Sequence, residues 1–138
     1  MEGNDVKIST KGRYALRMMI DIANNGKDRR VSIKEISERQ GVSVKYLEQI
    51  VTVLTKSGLL RSERGSNGGY ALAKPPEQYT VGEILRIIEG KLAPVACLEN
   101  DENICERKDI CATLNFWQGL QKVIDDYVDS VTLQNFIN

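Results

Sequence analysis

The chain contains no histidine. That removes the side chain most often used as a general base near neutral pH, and the commonest nitrogen ligand for metals. It also lacks any apolar run of the roughly 18–20 residues needed to span a bilayer. The first residues, Met1-Glu2-Gly3-Asn4-Asp5, are polar and acidic, without the basic start and apolar stretch of a secretory signal. A cytoplasmic protein with no membrane partner is expected. The Gly-rich stretch at 65–69 is not followed by Lys-Ser/Thr and sits in no βαβ unit, which argues against a nucleotide cradle. No nucleophile–base pair is recognisable, so an enzyme is not expected. There is no internal repeat and no low-complexity tract.

What is present fits one compact domain with an appended element. The 138 residues are 41% hydrophobic, enough for a core. The formal net charge of zero hides a division. Residues 1–74 hold 14 Lys/Arg against 8 Asp/Glu, and residues 75–138 hold 5 against 11. A basic half can bind a polyanion by releasing condensed counterions, although chance clustering on solvated faces gives the same count.

Periodicity supplies the outline. Ala15, Leu16, Met19, Ile22 and Ala23 recur at helical spacing up to the stop Asn24-Asn25-Gly26. Val31-Ser32-Ile33 reads either as a short strand or as the start of a brief helix, with Ser32 and Glu35 as a capping box and Ile33 and Ile36 inward. Gly41 ends that element, and Ser43 caps a helix over 44–57 with Leu47, Ile50, Val51 and Leu54 on one face. Helix, glycine turn, helix is a helix-turn-helix. Two short extended runs around the loop Gly65-Ser66-Asn67-Gly68-Gly69 then read as a hairpin, and a hairpin in that place is a wing. Thr80 caps a further helix, with Glu83 as its capping-box partner and Gly90 at its end. Residues 91–112 have no periodicity. A last helix from Thr113 to Asp129 spaces Trp117, Leu120, Ile124, Tyr127 and Val131 in a 3-4 pattern, a seam for a second copy of the chain, widened by Phe116 and Val123. The expected fold is mainly α with a small β wing. A winged helix-turn-helix DNA-binding domain spans 1–90, a cysteine-bearing loop 91–112, and a dimerisation helix with its tail 113–138.

With one face of the 44–57 helix buried, the other shows Lys45, Glu48, Gln49, Thr52 and Lys56, with Tyr46 at the margin. Recognition helices read base edges in the major groove from their N-terminal residues. Gln49 suits adenine and Glu48 the amino group of cytosine. Ser43, Lys45 and Tyr46 suit phosphates near the positive end of the helix. The wing tip brings Arg64, Ser66 and Asn67, and an arginine there can enter a narrow minor groove. A solvated surface helix and an ordinary loop are the bland alternatives.

Cys97, Cys105 and Cys111 lie within fifteen residues. An odd number in a chain without an export signal does not suggest a disulfide framework. Three thiolates on a loop suit an iron–sulphur cluster or zinc, and redox thiols or packing cysteines fit the spacing as well.

Several stretches together resemble a known family. They are Lys7 to Leu16, Ile36-Ser37-Glu38-Arg39-Gln40-Gly41-Val42-Ser43, Tyr46-Leu47-Glu48-Gln49, and Arg64-Gly65 with Gly68-Gly69-Tyr70. The chain is similar, from about residue 7 to its end, to the IscR-like iron–sulphur cluster regulators among the Rrf-type bacterial winged-helix regulators. The resemblance implies a bacterial homodimer that binds double-stranded DNA at a pseudo-palindromic operator and controls cluster-biogenesis genes. It implies a cluster on Cys97, Cys105 and Cys111, [2Fe–2S] as in most such proteins or [4Fe–4S] as in nitric-oxide-sensing relatives. Ser43, Tyr46, Gln49 and Arg64 match DNA-contacting positions. Glu48 matches the glutamate that discriminates between classes of site. One departure stands out: the family's histidine three residues after the third cysteine is Leu114 here. The fourth ligand is then an oxygen donor such as Glu99, Asp101, Glu102, Glu106 or Asp109, a backbone group, a small molecule or a partner residue.

Overall fold

The computed structural model describes residues 8–65, 68–94 and 112–137. Helices α1 (Thr10–Asn25), α2 (Ile33–Gln40) and α3 (Val44–Lys56) are followed by strands β1 (Leu60–Glu63) and β2 (Gly69–Leu72), then α4 (Val81–Glu89) and α5 (Leu114–Ser130). Short 3-10 turns lie at Pro76–Gln78 and Leu133–Phe136. This is the mainly helical winged helix-turn-helix that the sequence led us to expect.

The helix starts follow from hydroxyl caps that satisfy orphan N–H groups. Ser9 accepts from the Gly12 amide, Ser43 from Tyr46 and Thr80 from Glu83. Ser32 and Glu35 form the complete reciprocal box. At α4 only half of the expected box forms. The Glu83 carboxylate turns instead to the Lys74 ammonium, 3.2 Å away. Both readings of Val31-Ser32-Ile33 hold in part. Ser32 caps α2, while Val31 exchanges backbone hydrogen bonds of 2.9 and 2.8 Å with Tyr70 as a one-residue third strand. A Cβ at Gly69 would lie 2.5 Å from the Val31 carbonyl oxygen, so this close approach requires glycine.

The wing strands pair antiparallel, Leu60 opposite Leu72 and Glu63 opposite Gly69. The core gathers α1, α2, α3, the foot of β1 and α4, and it includes Leu133 from the C-terminal tail. That tail returns after α5. Val81 N–H donates to Val131 O at 2.8 Å, and Leu133 N–H donates to Tyr79 O at 3.1 Å.

The apolar face of α5 is divided. Ile124, Val128 and Val131 pack within the protomer against Val81, Leu85 and Leu92. Phe116, Val123 and Tyr127 are 63%, 63% and 69% exposed. Trp117 and Leu120 are half-buried. The cause is α4, which lies alongside α5 and is clamped to it by Arg86, 2.6 Å from Asp129 and 2.8 Å from Asp125.

Tyr79 is fully buried. Its hydroxyl donates to Leu59 O at 2.6 Å and accepts from the amides of Ala73 (2.8 Å) and Lys74 (3.2 Å). Replacing Tyr79 with Phe keeps the ring but strands these backbone groups. An unsatisfied buried group costs about 1–3 kcal/mol. Tyr79→Phe should therefore lower the melting temperature by roughly 5–15 °C, read by circular dichroism. An unchanged melting temperature would mean that the hydroxyl holds nothing together.

Candidate nucleic-acid interface

Helix α3 stands on the core through Leu47, Ile50, Val51 and Leu54, all buried. Burial of each contributes about 1.5–3 kcal/mol, which fixes the rotation of the helix about its axis. The opposite face is thereby set. Lys45, Glu48, Gln49, Thr52 and Lys56 are exposed, Ser43 is exposed at the N-terminus, and Tyr46 is half-buried at the edge. Lys45, Glu48 and Gln49 make no side-chain hydrogen bond or ion pair with described residues, so their polar ends face solvent. Thr52 differs, because its hydroxyl donates to the Glu48 carbonyl at 2.7 Å. Ser43 Oγ accepts from the Tyr46 amide at 3.2 Å, and the hydroxyl hydrogen remains to donate outward.

Three residues that sequence reasoning passed over hold Tyr46. Its ring meets Tyr14 edge-on, with centroids 5.9 Å apart. The Arg17 guanidinium lies over Tyr14, 4.6 Å from the ring centroid. Arg17 also donates to Gln40 through Nε (2.9 Å to Oε1) and Nη2 (2.8 Å to the carbonyl oxygen). The i, i+3 spacing of Tyr14 and Arg17 was the available signal, but nothing in it named Tyr46 or Gln40 as partners.

The turn between α2 and α3 is braced by charge. Asp21 on α1 is 4% exposed. Arg39 grips it from Nε (3.0 Å) and Nη2 (2.8 Å), and Gln40 Nε2 adds a bond of 2.9 Å. A buried carboxylate is tolerable only with such partners. Glu35 is a second node. Arg29 lies 2.7 Å away, the Ser32 amide donates at 2.9 Å, and Arg39 lies 3.6 Å away.

In the wing, Arg64 is exposed directly after β1. Arg30 forms an ion pair with Glu63 next to it. Gly65 and Gly69 adopt φ of 112° and 146°, the conformations for which glycine is used. Ser66 and Asn67, and likewise Cys97, Cys105 and Cys111, lie outside the described residues. Among the described residues no group of three His, Cys, Asp or Glu could hold a metal ion, and no helix is long and apolar enough to cross a membrane.

The Arg29 guanidinium and the Ser32 amide hold the Glu35 carboxyl well below the usual range, at about 2. A depressed carboxyl stabilises the fold above its unfolded value and loses that contribution as the pH falls through its folded value. Glu35→Gln keeps the cap and removes the charge. Its melting temperature should lie below that of the parent at pH 7, and the gap should close between pH 4.5 and about 2. A gap that persists at pH 2 would assign the effect to something other than the carboxylate.

Comparison with known proteins gives the arrangement its context. The family description Rrf2, "Iron-dependent Transcriptional regulator", matches residues 8–138. The protein rrf2 of Nitratidesulfovibrio vulgaris is 39% identical over 132 residues, 96% of this chain and 87% of that one. The structure of CymR, the global cysteine regulator of B. subtilis, is similar with a TM-score of 0.76 and 39% identity, covering 93% of each chain. The structure of T. potens IscR is similar with a TM-score of 0.73 and 40% identity, over 93% of this chain and 83% of that one. The relatives are regulators rather than enzymes, and this chain, matched along nearly its whole length, belongs to the Rrf2 family of transcriptional regulators.

Proposed function

We propose that the chain acts as a homodimer on a pseudo-palindromic duplex and reports on an iron–sulphur cluster held by Cys97, Cys105 and Cys111. The observation that carries the DNA reading is the α3 surface: Lys45, Glu48 and Gln49 are exposed, without a side-chain partner among the described residues, on a helix fixed by core contacts and by the Tyr14–Arg17–Gln40 brace. Ser43, Lys45 and Tyr46 would meet phosphates, Glu48 and Gln49 base edges, and Arg64 with Ser66 and Asn67 the adjoining minor groove. The exposed Phe116, Val123 and Tyr127, beside Trp117 and Leu120, favour pairing of α5 with a second copy. Ile124 would contribute from its margin, since it already packs on α4. Two-fold symmetry then places half-sites whole helical turns apart.

Support for the cluster is chemical. Three thiolates within fifteen residues are soft donors, and the chain offers no imidazole to compete with them. When bound, the cluster would supply a centre whose integrity depends on iron, oxidants and nitric oxide, with an oxygen ligand making it labile. The expected type is [2Fe–2S], and the genes controlled would be those of cluster assembly, as the likeness to IscR suggests. The cysteine segment leaves from a fastened point. Leu92 is buried, and its carbonyl accepts from Gln121 Nε2 of α5 at 2.8 Å. A second reading rests on the equally close similarity to CymR. In it the same thiols report cysteine or thiol status, without a cluster.

Protein purified without oxygen should be brown, contain iron and sulphide in similar amounts, and change its ranking of duplex sites after a chelator removes the iron. Colourless protein that still binds duplex would favour the thiol reading. Protein that ignores every duplex at low salt would overturn both. Within the DNA reading, Glu48→Ala should flatten discrimination between sites by about tenfold, within the 1–3 kcal/mol of one base contact. Arg64→Ala should weaken binding to all sites and reduce the salt slope by about one unit. An unchanged site ranking, or an unchanged slope, would remove the residue concerned from the interface.

A further inference from the structure

We propose that a cleft at the base of the wing, on the side of the sheet away from α3, is a binding site for a small organic anion: a carboxylate or phosphate monoester on a short apolar body. The register fixes the side. Arg61 is opposite Ala71, and Ser62 is opposite Tyr70. Paired residues share a face and successive ones alternate. Ser62 and Tyr70 line the groove toward α3, and Arg61 and Ala71 line this cleft. The cleft therefore lies apart from the base-reading surface of α3. Its volume of about 480 Å³ is in the range of small-molecule sites.

Five cations stand in its wall, Lys27, Arg29, Arg30, Arg61 and Lys74, with Asp28 as the acid among them. Glu35 answers Arg29, Glu63 answers Arg30 and Glu83 answers Lys74. Lys27 and Arg61 meet no carboxylate within ion-pair distance among the described residues. Lys27 and Arg61, both exposed, are therefore the cations that an incoming oxyanion would meet. The remaining wall is apolar, with Ile22, Ala23, Ala71 and Pro76. A bare inorganic ion has no use for that surface, which is why an organic body is assigned. Arg61 is on the strand that leads directly into Arg64, so the ligand would rest on the segment that carries the wing tip.

The same oxyanion chemistry is offered by a phosphodiester of bound DNA, and the test separates the two sources. The full chain, labelled with nitrogen-15, is titrated with phenyl phosphate and separately with inorganic phosphate, following backbone amide shifts. Saturable shifts are expected at residues 26–30, 61 and 71–74, with phenyl phosphate the tighter ligand by about fivefold or more. Arg61→Ala and Lys27→Ala, both at exposed positions, should each weaken phenyl phosphate by about tenfold, the value of one charge-assisted contact. Melting temperature and the salt slope of duplex binding should stay unchanged. Equal affinity for the two ligands, or shifts spread equally over Lys45 and Arg64, would reduce the site to general basic surface and overturn the proposal. A salt slope lowered by about one unit in Arg61→Ala, with phenyl phosphate binding unaffected, would assign the cleft to the DNA backbone instead.

Discussion

One buried hydroxyl joins the parts of this chain that sequence keeps apart. Tyr79 Oη bonds to Leu59 before β1 and to Ala73 and Lys74 after β2, while the Tyr79 carbonyl accepts from Leu133 in the tail. In a low-dielectric interior each bond is stronger than in water, and each unpaired partner is costlier. The wing's foot, the entry to α4 and the return from α5 therefore share one fastening. A wing attached only by its two strands would be a marginal hairpin. Here Val31 adds a third strand, and the Tyr79 knot closes the open end.

The next layer is charge. Asp21 and Glu35 lock α1, the loop after it and α2 into one unit through Arg39, Gln40 and Arg29. Exposed ion pairs contribute little, but Asp21 is not exposed. Breaking a buried pair strands a charge, which makes such a pair specify geometry even where it adds little net stability. The geometry specified is the seat of α2 against α1, at the end that leads into the turn before α3. The acidic half of the chain is put to similar use, since Asp125 and Asp129 hold Arg86 and with it α4 against α5. Among the described residues, the cations that no carboxylate answers include Lys45 and Lys56 on α3, Arg64, and Lys27 and Arg61 in the cleft behind the wing.

Local signals were legible from the sequence. Ser32, Ser43 and Thr80 mark helix starts, because the hydrogen bond each makes reaches only three residues along the chain. The α3 stripe was legible because four apolar residues at helical spacing leave one orientation. What could not be read were partners across long separations. Tyr79 showed no sign of its three backbone bonds, and Asp21 looked like any exposed acid. Glu83 fitted a capping box, yet Lys74 offered its carboxylate a full charge. The α5 seam shows the same limit. Spacing says which face is apolar but not what covers it, and α4 covers the part carrying Ile124.

These contacts also define what lies between the cysteine segment and helix α3. Leu92, just before that segment, packs with Val81 and Leu85, and Leu16 of α1 packs against the same cluster and against the main core. From Leu16 it is one turn or less to Tyr14 and Arg17, which back Tyr46 at the edge of α3. The path is continuous and made of packed side chains. Continuity is a precondition, whereas coupling is a difference in affinity between two states that both sites bias. The element common to the whole path is α1, because its sides touch both α4 and α3 while its Asp21 holds Arg39 of α2.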